Sequence, residues 1–276
     1  MYPAIFSRTY PLQDPEAVLR AIRADGFVGA QMNLSSFGME SLPDALDEDA
    51  LAAGRDAARR LGVTLAALSG TYNMAHPDRD ARLAARPRFV NVLRAAQAIG
   101  APLVTLCTGS RDPRNMWADH PENASPAAWA DLREELDWAL AEAAPRGLAL
   151  AIEPEPGNVV RDARAARGLL DQLGSANLKI IIDAANLIGT DGLARQAEIV
   201  AESMELLGPD VALAHAKDID ASGKVVAPGR GAVDLPAFVA ALAAARFDGA
   251  LIAHGFEAAD TGAAGRTMAA LCAGQR

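Results

Sequence analysis

Four apolar runs in the second half of the chain each close on a residue that can ligate a metal or move a proton. ALAIEPEPGN closes on Glu153, KIIIDAAN on Asp183, VALAHAKD on His215 and GALIAHGF on His254. A charge at the end of such a run is taken out of water, which is expensive unless something pairs with it. Two carboxylates and two imidazoles that converge can share a cation instead. Carboxylate oxygen with imidazole nitrogen suits one divalent ion, either Mn2+, Co2+, Fe2+ or Zn2+, with Mg2+ a less natural guest. Taken singly, each residue has a plainer role. His215 or His254 could be a satisfied core histidine, Asp183 a helix cap, and Glu153 the partner of an arginine. The joint pattern favours the metal.

Other side chains stand where they could serve the same chemistry. Glu155 follows Glu153 by two positions, between Pro154 and Pro156, and could be a second acid/base group. Asn186 could contact substrate or support the metal. Lys217 and its neighbour Asp218 could bind hydroxyls or pair with each other. His76, in TYNMAHPD, could face a substrate. Trp117 and His120 lie with Arg111 in a long polar segment, and an aromatic there could stack on the face of a ligand. Arg230, in a glycine-rich segment, could contact a phosphate or carboxylate.

What must position these groups is a repeated unit. Short β-rich apolar runs alternate with longer Ala/Leu/Arg-rich amphipathic runs from end to end, the pattern of parallel strand–helix units. Strands are expected at Ala4–Ser7, Val28–Leu34, Thr64–Ser69, Leu103–Cys107, Ala149–Glu153, Lys179–Asp183, Val211–His215 and Ala250–His254. Asp14-Pro15 and Ser125-Pro126 place a capping side chain before a proline at the first helical position. Gly26, Gly62, Gly100, Gly147, Gly174 and Gly208 each follow a helical run, where a left-handed residue is usual. Eight such units make an α/β protein, a single (β/α)8 TIM barrel over residues 1–276. Thr108–Ser125 and Lys217–Asp234 are too long for tight connections and follow strands four and seven. That places them at the strand C-termini, where barrels of this kind build their sites.

The bulk composition narrows the partners. With 276 residues, one barrel fits the length. The net charge of −9 and 5% aromatic content, with dispersed basic residues, argue against nucleic acid. Cys107 and Cys272 sit in apolar runs and read as reduced core thiols. No apolar run reaches the length of a membrane span, and the first residues lack the pattern of a secretion signal. The expected partner is therefore a small, uncharged or weakly anionic molecule in the cytoplasm. A homodimer is compatible with this composition.

At the motifs IEPEPGN, DAAN and HAKD, followed by PGRGAVD, the sequence resembles the xylose isomerase-like barrels. These include sugar isomerases, sugar 3-epimerases, inosose dehydratase and endonuclease IV. The resemblance covers essentially the whole chain. It implies a metal held by Glu153, Asp183 and His215 at the ends of strands five to seven. The family's fourth ligand is a glutamate ending strand eight; here DGALIAH puts His254 in that place, and Glu257 falls three residues later. In the epimerases the strand-five and strand-eight glutamates form an acid/base pair. The resemblance thus implies Glu153, with His254 in place of the second glutamate, as proton carriers beside a metal-polarised carbonyl, and Glu155 joins them by its spacing from Glu153.

The leading expectation is a metal-dependent sugar or keto-sugar isomerase or epimerase. A lyase, a dehydratase or a deglycosidase of 3-keto glycosides would use the same proton abstraction. A carbohydrate-binding barrel without activity is the reading outside enzymes. An endonuclease would need more histidine ligands than the four histidines of this chain supply.

Overall fold

Consecutive apolar positions let a strand be covered on both faces, by barrel interior on one side and helices on the other. In the computed structural model, which describes residues 1–274, eight such segments pair in parallel and close into a barrel. The expected domain runs to 276; its last two residues lie outside the described residues. The barrel strands are Tyr2–Phe6, Gly29–Met32, Thr64–Ser69, Leu103–Cys107, Ala149–Glu153, Leu178–Asp183, Val211–His215 and Ala250–Ala253. We number them one to eight. Each pairs with its sequence neighbours, and strand one closes on strand eight. The expected α/β architecture, a (β/α)8 barrel, is the one observed.

Two cores result. Ala4, Ala66, Ala67, Leu103, Ala151, Ile181, Leu213, Ala250 and Ile252 cluster together, with Tyr2 and Phe6 packed on them. A larger layer, including Val18, Ile22, Phe89, Leu136, Leu169 and Phe238, packs between the strands and the helices. Alanine recurs in the smaller cluster, so little side-chain volume fills the space between the strands.

Register is what aims the functional side chains. Cys107 pairs with Glu153 across strands four and five, and Asp183 with His215 across strands six and seven. Irregularities occur between Ala30 and Gln31 and between Ile180 and Ile181. The extra residue is Ala66 on strand three in the first and Ala212 on strand seven in the second, and an inserted residue re-aims the side chains that follow it, His215 among them.

The helix punctuation largely holds. Ala17 N–H donates to Asp14 Oδ1 at 2.7 Å and Ala128 N–H to Ser125 Oγ at 3.1 Å, both before a first-turn proline. Of the six glycines expected to be left-handed, Gly208 is right-handed at φ −44, because the chain continues there into the turn Gly208–Asp210. Strand one begins two residues earlier than expected. Strand eight ends at Ala253, so His254 stands one residue past the sheet. No described helix is long and apolar enough to cross a membrane.

Candidate metal centre

Strands five to eight deliver their terminal residues to one point. Among the described residues, Glu153, Asp183, His215 and His254 each offer a donor atom, and these atoms all lie within 4.8 Å of one another. The first three are buried and His254 is half-buried. His215 Nδ1 lies 3.2 Å from Glu153 Oε1 and 3.7 Å from Asp183 Oδ2. His254 Nε2 donates to Asp183 Oδ2 at 2.9 Å. The two imidazole rings sit 4.4 Å apart between centroids. This donor set, two carboxylates and two imidazoles aimed inward, fits a divalent transition ion.

A further residue, which sequence reasoning missed, orients the cluster. Gln31, on strand two, donates through Nε2 to Thr105 Oγ1 at 3.1 Å. Its Oε1 is therefore turned to His215 Nε2, 2.8 Å away. A carbonyl oxygen only accepts, so His215 carries a proton on Nε2 and points Nδ1 at the carboxylates. Metal-ligating histidines usually have their other nitrogen held by such a partner. No sequence signal marked Gln31, which reads as an ordinary strand residue.

The ionisation states follow from these neighbours. Burial opposes charge on Glu153, but the His215 imidazole beside it outweighs that and holds the carboxyl below its usual range. Burial also opposes charge on Asp183, yet Lys217 and the hydrogen bond from His254 hold its carboxyl far down. Burial favours neutral His215, but Glu153 and then Asp183 raise its pKa. His254 is lowered by burial and by His215 next to it. A second proton on His215 would sit on Nδ1 against Glu153 at 3.2 Å, the position a cation would take.

Glu155 stands apart. Burial, and then the charge of Glu153, push its carboxyl up to about 7. It lines, with Glu153, His215 and His254, a cavity of about 150 Å3 whose other walls include Arg8, Thr71 and Trp117. Cys107, Glu153 and Glu155 form a second group with donor atoms within 4.8 Å, sharing Glu153 with the first. A larger cavity, about 460 Å3, opens at the opposite end of the strands, between Tyr2, Leu103, Lys179 and Leu213. Its lining is mainly apolar and holds no carboxylate or imidazole for acid/base work.

The remaining candidates divide. Asn186 donates to Glu153 Oε1 at 2.9 Å and accepts from Lys217 Nζ. Both therefore brace the carboxylates from behind rather than lining the cavity. Asp218 does not pair with Lys217. It is fully buried and accepts from the backbone N–H of Gly229, Gly231 and Val233 at 2.9, 2.8 and 3.2 Å, folding the glycine-rich loop around itself. Trp117 reaches the cavity and stays half exposed.

Three expected contacts are not brought there. His76 ties its loop to the strand-four loop through Pro113 O at 3.3 Å. His120 caps the short helix Pro121–Ala124, accepting from Glu122 N–H at 3.2 Å, and lines a different surface cavity. Arg230 is held by Asp260 at 2.6 Å. Each is a loop residue with a local partner, and that partner fixes it away from the cavity.

Asn158, also unmarked in the sequence, fastens the strand-four loop over the site. Its Oδ1 accepts from Gly109 N–H at 2.8 Å and its Nδ2 donates to Met116 O at 2.9 Å. A Cβ on the adjacent Gly157 would stand 2.2 Å from Trp117 O, so the two loops meet at a spacing only glycine allows.

The family model described as xylose isomerase-like TIM barrel matches residues 19–272. The chain belongs to this family. No curated protein matches it in sequence. Among solved structures, this xylose isomerase-like barrel is similar to the 3-keto-D-glucoside 4-epimerase YcjR from E. coli. The two share 18% identity and a TM-score of 0.76 over 99% of each chain. It is also similar to the IOLI protein with a bound zinc atom, at 15% identity and TM-score 0.72, over 100% of this chain and 98% of that one. A third similar structure is a fusion of a xylose isomerase-like TIM barrel with 4-hydroxyphenylpyruvate dioxygenase, at 18% identity and TM-score 0.75. The match covers 96% of this chain but 41% of the fusion protein. At these identities the likeness speaks for the fold of the family barrel and leaves its chemistry to the residues.

Proposed function

We propose that the protein is a metal-dependent isomerase or epimerase of a sugar, keto-sugar or related polyol. One observation carries this reading: four ligand-type side chains from strands five to eight converge beside a cavity that also contains Glu155. The proposed ligands are Glu153, Asp183, His215 and His254. A divalent ion held by them would polarise a carbonyl and its neighbouring hydroxyl, which acidifies the C–H between them. The similarity to an epimerase and to a zinc-containing barrel supports the same reading.

The chain's own residues then handle the proton. Glu155 is outside the proposed ligand set, and its carboxyl is poised near neutrality, where a group both takes and gives protons well. It is the proposed base. His254, reaching in from strand eight, and Glu153 are the groups that return a proton to the substrate. Asn186 and Lys217 keep Glu153 and Asp183 in place, and Trp117 covers the cavity from the strand-four loop.

Metal analysis tests the site directly. The purified protein should carry about one transition-metal ion per chain, and Asp183→Ala and His215→Ala should each lose it. Full occupancy in both variants would refute the ligand assignment. Incorporation of solvent deuterium into recovered keto-sugar, without release of water or an aglycone, separates isomerisation from elimination. Elimination without exchange would move the assignment to a lyase.

A further inference from the structure

Arg8 stands in the short turn Ser7–Thr9 directly after strand one, and its side chain is exposed. It is a shared wall. On one side it lines the metal cavity with Phe6, Gln31 and Trp117. On the other it lines a second cavity of about 300 Å3 with Tyr10, Leu12, Gln13 and Ser35. Among the described residues, its guanidinium has no hydrogen-bond or ion-pair partner. Among the described residues it is the one lysine or arginine that lines the metal cavity, and three other cations at the mouth are tied to partners. Lys217 is held by Asn186 and Asp183, Arg111 by Asp131 and Arg230 by Asp260.

The charge balance of the cavity gives this arginine a meaning. Resting on the proposed metal site, the carboxylates of Glu153 and Asp183, and of Glu155 when it is ionised, are offset by a divalent ion together with Lys217. The charge of Arg8 is then uncompensated and faces the space a ligand would fill. A guanidinium is a planar fork that matches a carboxylate or phosphate with two parallel hydrogen bonds. The Gln13 amide and Ser35 hydroxyl, on the same second cavity, have no side-chain partner of their own and add donors.

We infer that this site takes sugar or polyol derivatives bearing an anionic group, a carboxylate or a phosphate, and that Arg8 is the residue that selects them. The hydroxyl-bearing end lies in the inner cavity toward Glu153 and His254. The anionic end extends past Arg8 into the outer cavity.

Matched ligand pairs test this by calorimetric titration of the full chain loaded with Mn2+. Ribitol 5-phosphate is compared with ribitol, and gluconate with glucitol, for the wild type and for Arg8→Gln and Arg8→Lys. A hydrogen-bonded charge pair of this kind is worth about tenfold to a hundredfold in affinity. The anionic member of at least one pair should bind tighter by about that factor. Arg8→Gln should abolish the preference while leaving the affinity for the neutral member and the metal content unchanged, and Arg8→Lys should keep part of it. The pair with the larger preference identifies phosphate or carboxylate as the group recognised. Equal affinities within both pairs, a preference that survives Arg8→Gln, or no saturable binding of either anion would overturn the inference. Metal content measured on the same samples reports separately on the proposed metal site.

Discussion

Gln31→Met should weaken metal binding although Gln31 touches no metal. In the native protein the bond that Gln31 Nε2 donates to Thr105 turns the Gln31 carbonyl toward His215, and that carbonyl accepts from the Nε2–H at 2.8 Å. Methionine keeps the volume and removes both bonds. A buried donor left unpaired costs about 1–3 kcal/mol, which for His215 falls on the protonation state that frees Nδ1 for a cation. Nδ1 then keeps its proton more readily, because Glu153 Oε1 at 3.2 Å still accepts it. The apparent affinity for Zn2+ or Mn2+ should fall by about ten- to a hundredfold, the usual effect of losing a partner behind a ligating histidine. Competition against a chelating dye at pH 7.5 measures it. Gln31→Glu, which still offers an oxygen to Nε2, should bind metal far better than Gln31→Met. If Gln31→Met binds as tightly as the wild type while Asp183→Asn does not, Gln31 plays no part in setting the tautomer.

Three further outcomes are expected. In the metal-free protein, His215 is raised above its usual range and Asp183 lowered below its own. The His215 contribution to stability is therefore full below about pH 6.5 and lost as the pH rises through its higher folded value, whereas that of Asp183 is full above about pH 4 and lost in acid. Denaturant melts against pH should show apo stability falling from pH 6.5 upward through the neutral range, and His215→Gln should flatten that limb; a limb unchanged by the substitution would reject the assignment. Glu135→Ala removes a fully buried carboxylate held by Arg86 at 2.9 Å, beside the almost fully buried Arg82, so urea unfolding should show a loss of about 3–5 kcal/mol. A loss under 1 kcal/mol would mean that the network relaxes freely. Gly157→Ala should displace the Trp117 segment and lower kcat/KM with metal content unchanged; wild-type kinetics would show that the loop spacing is immaterial.

The fold was legible because it is periodic. Eight apolar runs, Asp14-Pro15, Ser125-Pro126 and the glycine stops repeat one local grammar, and each unit reinforces the next. Glu153, Asp183 and His215 were legible because a charge ending an apolar run demands a partner. Gln31, Asn158 and the loop-folding role of Asp218 were not. Each acts through a bond to a residue far away in the sequence or to loop backbone, and an amide or carboxylate in such a place looks like any solvated polar residue. His76, His120 and Arg230 show the converse. Their types suit a sugar site, but local caps and ion pairs, invisible without the folded loops, hold them elsewhere. Arg8 was passed over because a lone arginine after a strand carries no pattern. It stands out only in the folded barrel, as the one lysine or arginine among the described residues that lines the metal cavity.

The four proposed ligands all come from strands five to eight, while Arg8, Thr71, Trp117 and the second cavity belong to strands one to four and their loops. The barrel is thereby split into two half-rings with separable duties. One half would set how a proton moves, and the other which molecule is offered to it. Gln31, steadied by Thr105 of its own half, crosses the divide to brace His215, and Asn158 reaches back the other way to fasten the strand-four loop. On the proposed function, substitutions in the loops of strands one to four that spare Gln31 and Thr105 would exchange one substrate for another without rebuilding the reaction.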